Sequence, residues 1–469
     1  MTTTTKSKAT KISELSFMSL FALIFGSMVG SGVFDIPQNI SYKSGVVSVS
    51  IGWVITVVCI LALIWAFIYI TNKRPDIQSG LYGYAKHGFG DYIGFNSAWG
   101  YALNALIANT SYLIYICATL ANFALFKFLG KGNNLYSIVI ESILIWVVFL
   151  LINKGIKEAA YVNLIVTIIK IALLIWVIIL LIIAFNSAQL IHNIHFDSNL
   201  GSVFEQTKST MLVTVWNFTG IEAACIFALR AKSMRDVARA TMLGAIVVCL
   251  IDASISILPF GIMPAQAIRN LATPSTASLL SSVYGLVSGN IVYISVVISV
   301  LGALLAWTML ASNMFYLAAE DKTMPKFFLR LNKNNVPYNS ILISSITAQI
   351  FVIMAYYTNA VYLMMIQFAT SLILLPYLFA AMFALKLVLT EGRVDTISVF
   401  KGILAVLYGI WLVYSGGLFF LALSALMYLI GFIFYFIARK ENNLKLFEKK
   451  YELYLFIVLI LVTVIALKY

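Results

Sequence analysis

Apolar residues along this chain gather into runs of about 17 to 28 positions with few charges among them. That is the length an α-helix needs to cross roughly 30 Å of hydrocarbon. Thirteen such runs predict spans near 15–40, 47–71, 91–126, 135–152, 159–186, 208–230, 237–262, 280–318, 339–357, 360–387, 401–417, 419–438 and 453–468. The last is short and ends at the C-terminus. A membrane β-barrel would instead show segments of about 10 residues with alternating polarity, and no stretch reads that way. The predicted fold class is an all-α integral membrane protein.

Composition agrees. Of 469 residues 62% are hydrophobic and 10% charged, against roughly 25% charged in an average soluble domain. Lys6, Lys8 and Lys11 precede an apolar run that continues well past the core of a signal peptide with no small-residue cleavage site. The run is therefore read as a first span behind a retained cytoplasmic tail, residues 1–14. The formal net charge of +13 matters less than its distribution. With the tail inside, the inner loops receive Lys73, Arg74, Lys86, Lys154, Lys157, Arg230, Arg235, Arg239, Lys326, Arg393, Arg439, Lys440, Lys449 and Lys450, among others. The outer side receives Lys43, Lys127, Lys131, Lys208, Arg269 and Lys468. This bias follows the positive-inside rule, so the basic loops are topology signals and imply no nucleic-acid partner. Cys59, Cys117, Cys225 and Cys249 lie in apolar runs without C-x-x-C spacing and read as free buried thiols, with neither a metal site nor a disulfide framework.

Two spans are interrupted. The first carries Gly26-Ser27-Met28-Val29-Gly30-Ser31-Gly32, and the sixth carries Asn217-Phe218-Thr219-Gly220-Ile221-Glu222. Glycines cost about 1 kcal/mol each in a helix interior, and backbone unwound in a membrane must face a polar ligand, water or protein. The N–H groups from Val33 onward would then point the positive end of a half-helix at an anion such as a carboxylate. The packing alternative is a small-xxx-small contact through Gly26 and Gly30. Five spans separate the two breaks, so a five-span repeat would return with inverted topology, a pattern that points to a transporter's midplane site. The expected division is a first five-helix repeat at 15–186, a second at 208–387 with breaks in helices 1 and 6 (LeuT-type), and additional helices at 401–469.

Charged groups inside spans are functional candidates by default. Glu222 reads either as a proton-linked gate or as a hydrogen-bonded clamp on the broken helix. Lys170, near the centre of the fifth span, reads either as a fixed charge replacing a coupling cation or as a structural tie to backbone carbonyls. Asp252 suggests packing or hydrogen bonding rather than ligand contact, and Glu141, nearer a span end, suggests an interfacial position. Trp216 and Trp307 sit in span bodies beside polar or small residues, suited to a cationic side chain through cation–π contact or to core packing. Asn109, in Ala108-Asn109-Thr110-Ser111, could bond a substrate or a neighbouring helix. Catalytic readings fare poorly: His87, His192 and His195 all fall in predicted loops, and there is no H-E-x-x-H, no paired intramembrane aspartates and no G-x-x-x-x-G-K-[ST].

Several runs resemble the basic amino acid/polyamine antiporters of the amino acid–polyamine–organocation superfamily. They are Gly26 to Phe34 with Pro37, Trp216 to Glu222, and Leu301-Gly302-Ala303-Leu304-Leu305-Ala306-Trp307. The arginine/ornithine exchange branch is suggested by Gly88 to Tyr101, Lys157-Glu158-Ala159-Ala160, Met211 to Trp216 and Asp321-Lys322-Thr323-Met324-Pro325-Lys326. The resemblance covers essentially the whole chain. It implies a bacterial inner-membrane antiporter, exchanging a cationic amino acid such as arginine for ornithine or a related product by alternating access. By the same resemblance Ser27, Ser31 and Gly32 would hold the substrate's α-carboxylate; Gly30 and Gly220, at the two breaks, are counted with them as substrate-binding. Carbonyls near Phe25 and Trp216 would take its amino group, Asn109, Trp216 and Trp307 would enclose its side chain, Glu222 would confer pH sensitivity, and Lys170 would stand in for sodium. Where the exchange branch carries a Trp-rich stretch, this chain has Leu103-Asn104-Ala105-Leu106-Ile107-Ala108, a departure that bears on the side-chain pocket. The implied partners are lipid and small-molecule amino acids, with a homodimer compatible and no cofactor. The rival readings are another amino acid or amine pair (lysine, histidine or neutral), proton symport, a non-transporting sensor, and a channel.

Overall fold

The computed structural model describes residues 15–77, 79–194, 200–226, 231–358, 362–390 and 395–466. The tail 1–14 with its three lysines, His195, Arg230, Arg393 and Lys468 lie outside the described residues.

The first predicted span is two helices, α1 (Phe17–Met28) and α2 (Gly32–Ser41), with Ser16 capping α1 by accepting from the Ser19 N–H at 3.2 Å. Then come α3 (Val46–Lys73), the short α4 (Gly80–Phe89), α5 (Asp91–Leu120), α6 (Leu135–Lys154), α7 (Ile156–Ala184) and the short α8 (Ser187–Asn193). The sixth span is broken like the first. Its first part is α9 (Val203–Phe218), opened by a capping box between Ser202 and Glu205, and a single turn, α10 (Ala223–Ile226), follows the break. The chain continues through α11 (Met234–Ile257), the short α12 (Ala265–Arg269) and α13 (Ser275–Tyr284), α14 (Leu286–Glu320), α15 (Tyr338–Thr358), α16 (Tyr362–Thr390), α17 (Thr396–Ser415), α18 (Gly417–Glu441) and α19 (Lys450–Ala466).

Among the described residues eleven helices are long and apolar enough to cross a membrane. Two predicted spans fall short for different reasons. The sixth is divided at Thr219–Glu222, leaving α9 with 16 residues. The thirteenth, α19, has 17 described residues. The predicted run 280–318 begins too early: at Gly285, where φ is +84°, the chain turns from α13 into α14. Periodicity does not see that corner because both sides of it are apolar.

α5 and α14 pack against each other at the centre and are buried along most of their length. With 30 and 35 residues they measure about 45 and 52 Å, so they fit the hydrocarbon only when tilted or with their ends protruding. Around them α16 and α1 complete the interior, while α6, α7, α17 and α18 turn most of their surface outward. The apolar side chains exposed there, such as Phe400, Leu418 and Phe419, are ones only lipid can cover.

Two sequence expectations change. Glu141 is fully buried, on the face of α6 turned toward Cys117 of α5, and does not reach an interface. Its place near a helix end hid this, because packing by α5 covers it. Of the four free thiols, Cys117 and Cys225 are buried and Cys59 and Cys249 are only partly so.

The loops predicted to lie inside converge at one end of the bundle, joined by charge. Buried Arg439 donates to Asp91, to Glu448 at 2.9 Å and to the Lys445 carbonyl at 2.7 Å. Lys86 lies 3.7 Å from Asp91 and 3.3 Å from Asp321. Fully buried Glu452 accepts from the Tyr92 N–H at 3.3 Å and the Glu448 N–H at 2.8 Å, so the base of α19 caps the start of α5. Arg439→Ala leaves Asp91 only the longer contact to Lys86 and the Lys445 carbonyl without its donor, and because Glu448 is half-exposed the loss is about 2 kcal/mol, below that of a fully buried pair. Its apparent melting temperature in detergent should fall clearly further than that of Arg74→Ala, which breaks only the exposed pair with Asp76; equal melting curves would count against this anchor.

Candidate functional site

The two breaks face each other in the interior. At the end of α1 the Val29 N–H bonds the Phe25 carbonyl at 2.8 Å and the Gly30 N–H the Met28 carbonyl at 3.1 Å, after which Ser31 opens α2. The carbonyl end of one half-helix is thus set beside the N–H end of the next, a cation-favouring pole beside an anion-favouring one. Ser31 occupies the N-cap of α2 without bonding back to that helix.

In the sixth span the Thr219 N–H reaches the Val215 carbonyl at 3.1 Å, and its hydroxyl bonds the Trp216 carbonyl at 2.6 Å. Gly220 then takes φ +104°, a conformation that side chains rarely adopt. Its carbonyl accepts from the Ser27 hydroxyl at 3.1 Å, which stitches break to break. A Cβ on Gly220 would lie 2.6 Å from the Ser27 Oγ, so the stitch also needs the absence of a side chain.

Lys170, fully buried on α7, donates to the Gly26 carbonyl at 3.2 Å and the Val29 carbonyl at 2.7 Å. Asn163 and Thr167, lower on the same face, bond the Ala22 carbonyl at 3.1 and 3.3 Å. A stripe of polar groups at helical spacing thereby runs along α1, with its one cation at the carbonyl end. Trp307 of α14 donates its indole N–H to the Ser27 carbonyl at 3.0 Å, and Tyr362 of α16 donates to the Ser31 Oγ at 2.6 Å. The carboxylate of Glu222, fully buried in the second break, accepts from the Tyr377 hydroxyl at 2.6 Å, and the Tyr101 hydroxyl lies beside it. Aromatic rings wall the breaks. Tyr112 lies 6.0 Å from Trp216 and Tyr101 5.9 Å from Trp307, centroid to centroid. A Cβ on Gly30 would meet the Tyr112 hydroxyl at 2.7 Å, and one on Gly32 would meet the Trp216 ring at 2.8 Å.

A sequence profile described as amino acid permease matches residues 15–462. The chain belongs to that family. Its relatives include the arginine/ornithine antiporter of Pseudomonas aeruginosa, 38% identical over 92% of each chain. The L-lysine transport protein of Corynebacterium glutamicum is 33% identical, covering 95% of this chain and 93% of its own. The arginine/agmatine antiporter of Chlamydia felis is 32% identical, covering 94% and 93%. Among solved structures, a substrate-bound, outward-open Na+-coupled sialic acid symporter superposes with a TM-score of 0.53 at 14% identity, covering 86% of this chain and 89% of that one. The permease chain therefore has the fold of that symporter, an all-helical multi-pass membrane protein.

Of the residues singled out from the sequence, Ser27, Gly30, Ser31, Gly32, Trp216, Gly220, Glu222, Lys170 and Trp307 come together at the breaks. Asn109 joins them indirectly. Its amide donates to the Thr308 hydroxyl at 2.9 Å, beside Trp307 in sequence, and it lines a cavity that Ile145, Val148, Leu304, Thr308, Ser344, Ser345 and Ala348 complete. The Phe25 and Trp216 carbonyls expected to take an amine already accept from Val29 and Thr219. At this pole side chains from other helices reach the Gly26 and Val29 carbonyls, through Lys170, and the Ser27 carbonyl, through Trp307. Asp252 is buried on α11 with no hydrogen-bond partner for either oxygen among the described residues, so the expected hydrogen-bonding role is not seen.

Sequence reading missed Tyr101, Tyr112, Tyr362 and Tyr377, since tyrosines in aromatic-rich spans carry no periodic signal. It also missed Asp35, one turn beyond Ser31, whose carboxylate accepts from the Ser275 N–H at 2.7 Å and ties α2 to the start of α13. Asp35 was legible as a charge inside the first run. Gly220→Ala combines a strained φ, costing roughly 1–3 kcal/mol, with the collision at Ser27. Transport by the inserted protein should fall more than tenfold, and wild-type uptake by purified Gly220→Ala in liposomes would contradict the stitched-break geometry.

Proposed function

We propose that this permease is an amino acid antiporter of the bacterial inner membrane, exchanging a cationic amino acid, arginine, for ornithine or a related product by alternating access about the paired breaks. The observation that carries this is the apposition of the carbonyl end of α1 and the N–H end of α2 beneath Trp216 and Trp307. The two helix ends suit an α-amino and an α-carboxylate group, and the indole faces suit a cationic side chain. The relatives named for arginine exchange support the choice. Residues 15–186 and 208–387 are read as the two halves that rock against each other, and 401–469 as helices outside them.

Each polar group has a role in this reading. Ser31, with the first N–H groups of α2 at Gly32 and Val33, holds the carboxylate, and the Ser27 carbonyl takes the ammonium. Lys170 places a fixed positive charge on the Gly26 and Val29 carbonyls. That charge satisfies the end of α1 without a metal ion, and exchange of like-charged substrates through one seat needs no coupling ion. Glu222 ties the second break to α16 through Tyr377, so its protonation would alter how firmly that side closes.

Lysine is the rival substrate, because one relative is named an L-lysine transport protein. Liposomes preloaded with arginine, ornithine, lysine or buffer separate the cases. Labelled arginine should enter when arginine or ornithine is inside. Entry into buffer-loaded vesicles driven by a pH gradient would overturn exchange, and uptake confined to lysine would move the assignment to lysine. Trp307→Ala should weaken arginine binding about tenfold, as expected from losing a cation–π face of up to about 2 kcal/mol; unchanged titration calorimetry would remove it from the site. Glu222→Gln should flatten the pH profile of exchange, and a profile superimposable on the wild type would remove the gate role.

A further inference from the structure

We propose that Tyr362 is a self-ligand of the carboxylate pole: its bond to Ser31 locks the unloaded carrier and restricts transport to one-for-one exchange. This rests on the exchange reading and adds the residue that enforces it. An exchanger must bar the reorientation of its unloaded form, or the gradient of one substrate dissipates without the other. That barrier has to come from contacts that substrate removes.

The geometry meets this requirement at one atom. The Ser31 Oγ sits at the N-cap of α2, where a serine ordinarily accepts from its own helix, and here it does not. It accepts instead from the Tyr362 hydroxyl at 2.6 Å, which bridges α2 to α16, two elements that belong to opposite halves of the chain. The Tyr362 ring is held by Tyr115 of α5, 4.5 Å away centroid to centroid. Both rings are buried, so the hydroxyl reaches Ser31 from a fixed platform. Alternating access requires α2 to move against its neighbours. While the bond stands that movement breaks it, leaving Ser31 and the unwound backbone unsatisfied in a dry interior.

A substrate carboxylate at the same pole accepts from the Ser31 hydroxyl, which can donate and accept at once; the lock opens when the incoming carboxylate displaces the Tyr362 hydroxyl as it does so. Binding therefore exchanges a protein contact for a substrate contact, α2 is released from α16, and only the loaded carrier turns. At the other pole the Trp307 N–H on the Ser27 carbonyl stands in for an ammonium donor in the same way, so both ends of the seat have an internal occupant. Further out, Asp35 at Ser275 and Gln38 at the Leu271 carbonyl, 2.6 Å, fasten α2 to the segment before α13. These contacts are remote from the seat and are not displaced by a carboxylate, which assigns the substrate-sensitive lock to Tyr362.

The test uses Tyr362→Phe in the full-length protein reconstituted in liposomes. Vesicles loaded with labelled arginine are diluted into medium with or without unlabelled arginine, and the ratio of net efflux to exchange is taken. The ratio should rise at least tenfold over the wild type. An unchanged ratio overturns the proposal, as does a loss of arginine affinity of tenfold or more without added net efflux, which would make the hydroxyl a substrate ligand. If the wild type carries no arginine, the substrate assignment fails and the lock is judged separately. Hydrogen exchange of peptides covering residues 29–41, on purified protein in nanodiscs without amino acid, should speed at least threefold in Tyr362→Phe. Equal exchange rates overturn the lock whatever the substrate.

Discussion

Unwound backbone in the middle of a membrane has no water to turn to, and the architecture around the two breaks answers that constraint. The carbonyls freed at the end of α1 are met by Lys170 and Trp307, the opening of α2 by Tyr362, and the turn at Gly220 by Ser27. Each donor comes from a different helix. α1, α2, α7, α14, α16 and the break in the sixth span are thus held in register by polar groups that lipid could never satisfy. The same groups suit a zwitterionic substrate, because a broken helix offers one pole for an amine and one for a carboxylate. Structure and transport draw on a single set of contacts, and a carrier whose ligands compete with its own side chains has the means to respond to them.

Around this centre the fold is asymmetric in what it shows to lipid. The long α5 and α14 are nearly all interior, whereas α17 and α18 are mostly surface. At one end the Arg439, Asp91, Lys86, Asp321 and Glu452 contacts fasten α18 and α19 to the start of α5. α18 and α19 are therefore tied to a central helix, while α17 meets the broken sixth span through Trp411 against Phe204 and Tyr414 beneath Lys208.

Hydrophobic run length alone carried most of the helix assignment, and where it erred the cause is physical. The corner at Gly285 lies between two apolar helices, so a window average passes over it. α4, α12 and α13 are too short, and too mixed in character, for a membrane-length pattern. Glu141 read as interfacial from its place near a helix end, but α5 covers it. In the candidate site, Gly30, Gly32, Gly220, Glu222 and Lys170 were legible because each is costly in a membrane helix unless something requires it. Tyr362, Tyr377, Tyr112 and Tyr101 were not, since a tyrosine costs little there and its partner lies up to some 330 residues away along the chain.

By itself the sequence determined the class, the helix count to within the interrupted and terminal elements, and the two places where helical backbone must give way. Those follow from transfer energies and backbone propensities, which act over a few neighbouring residues. Only the tertiary structure decided which carbonyls Lys170 and Trp307 occupy and that a tyrosine from α16 rests on the serine opening α2. Those are contacts between segments far apart in the chain, fixed by how tilted helices pack around α5 and α14, and no local pattern encodes that packing.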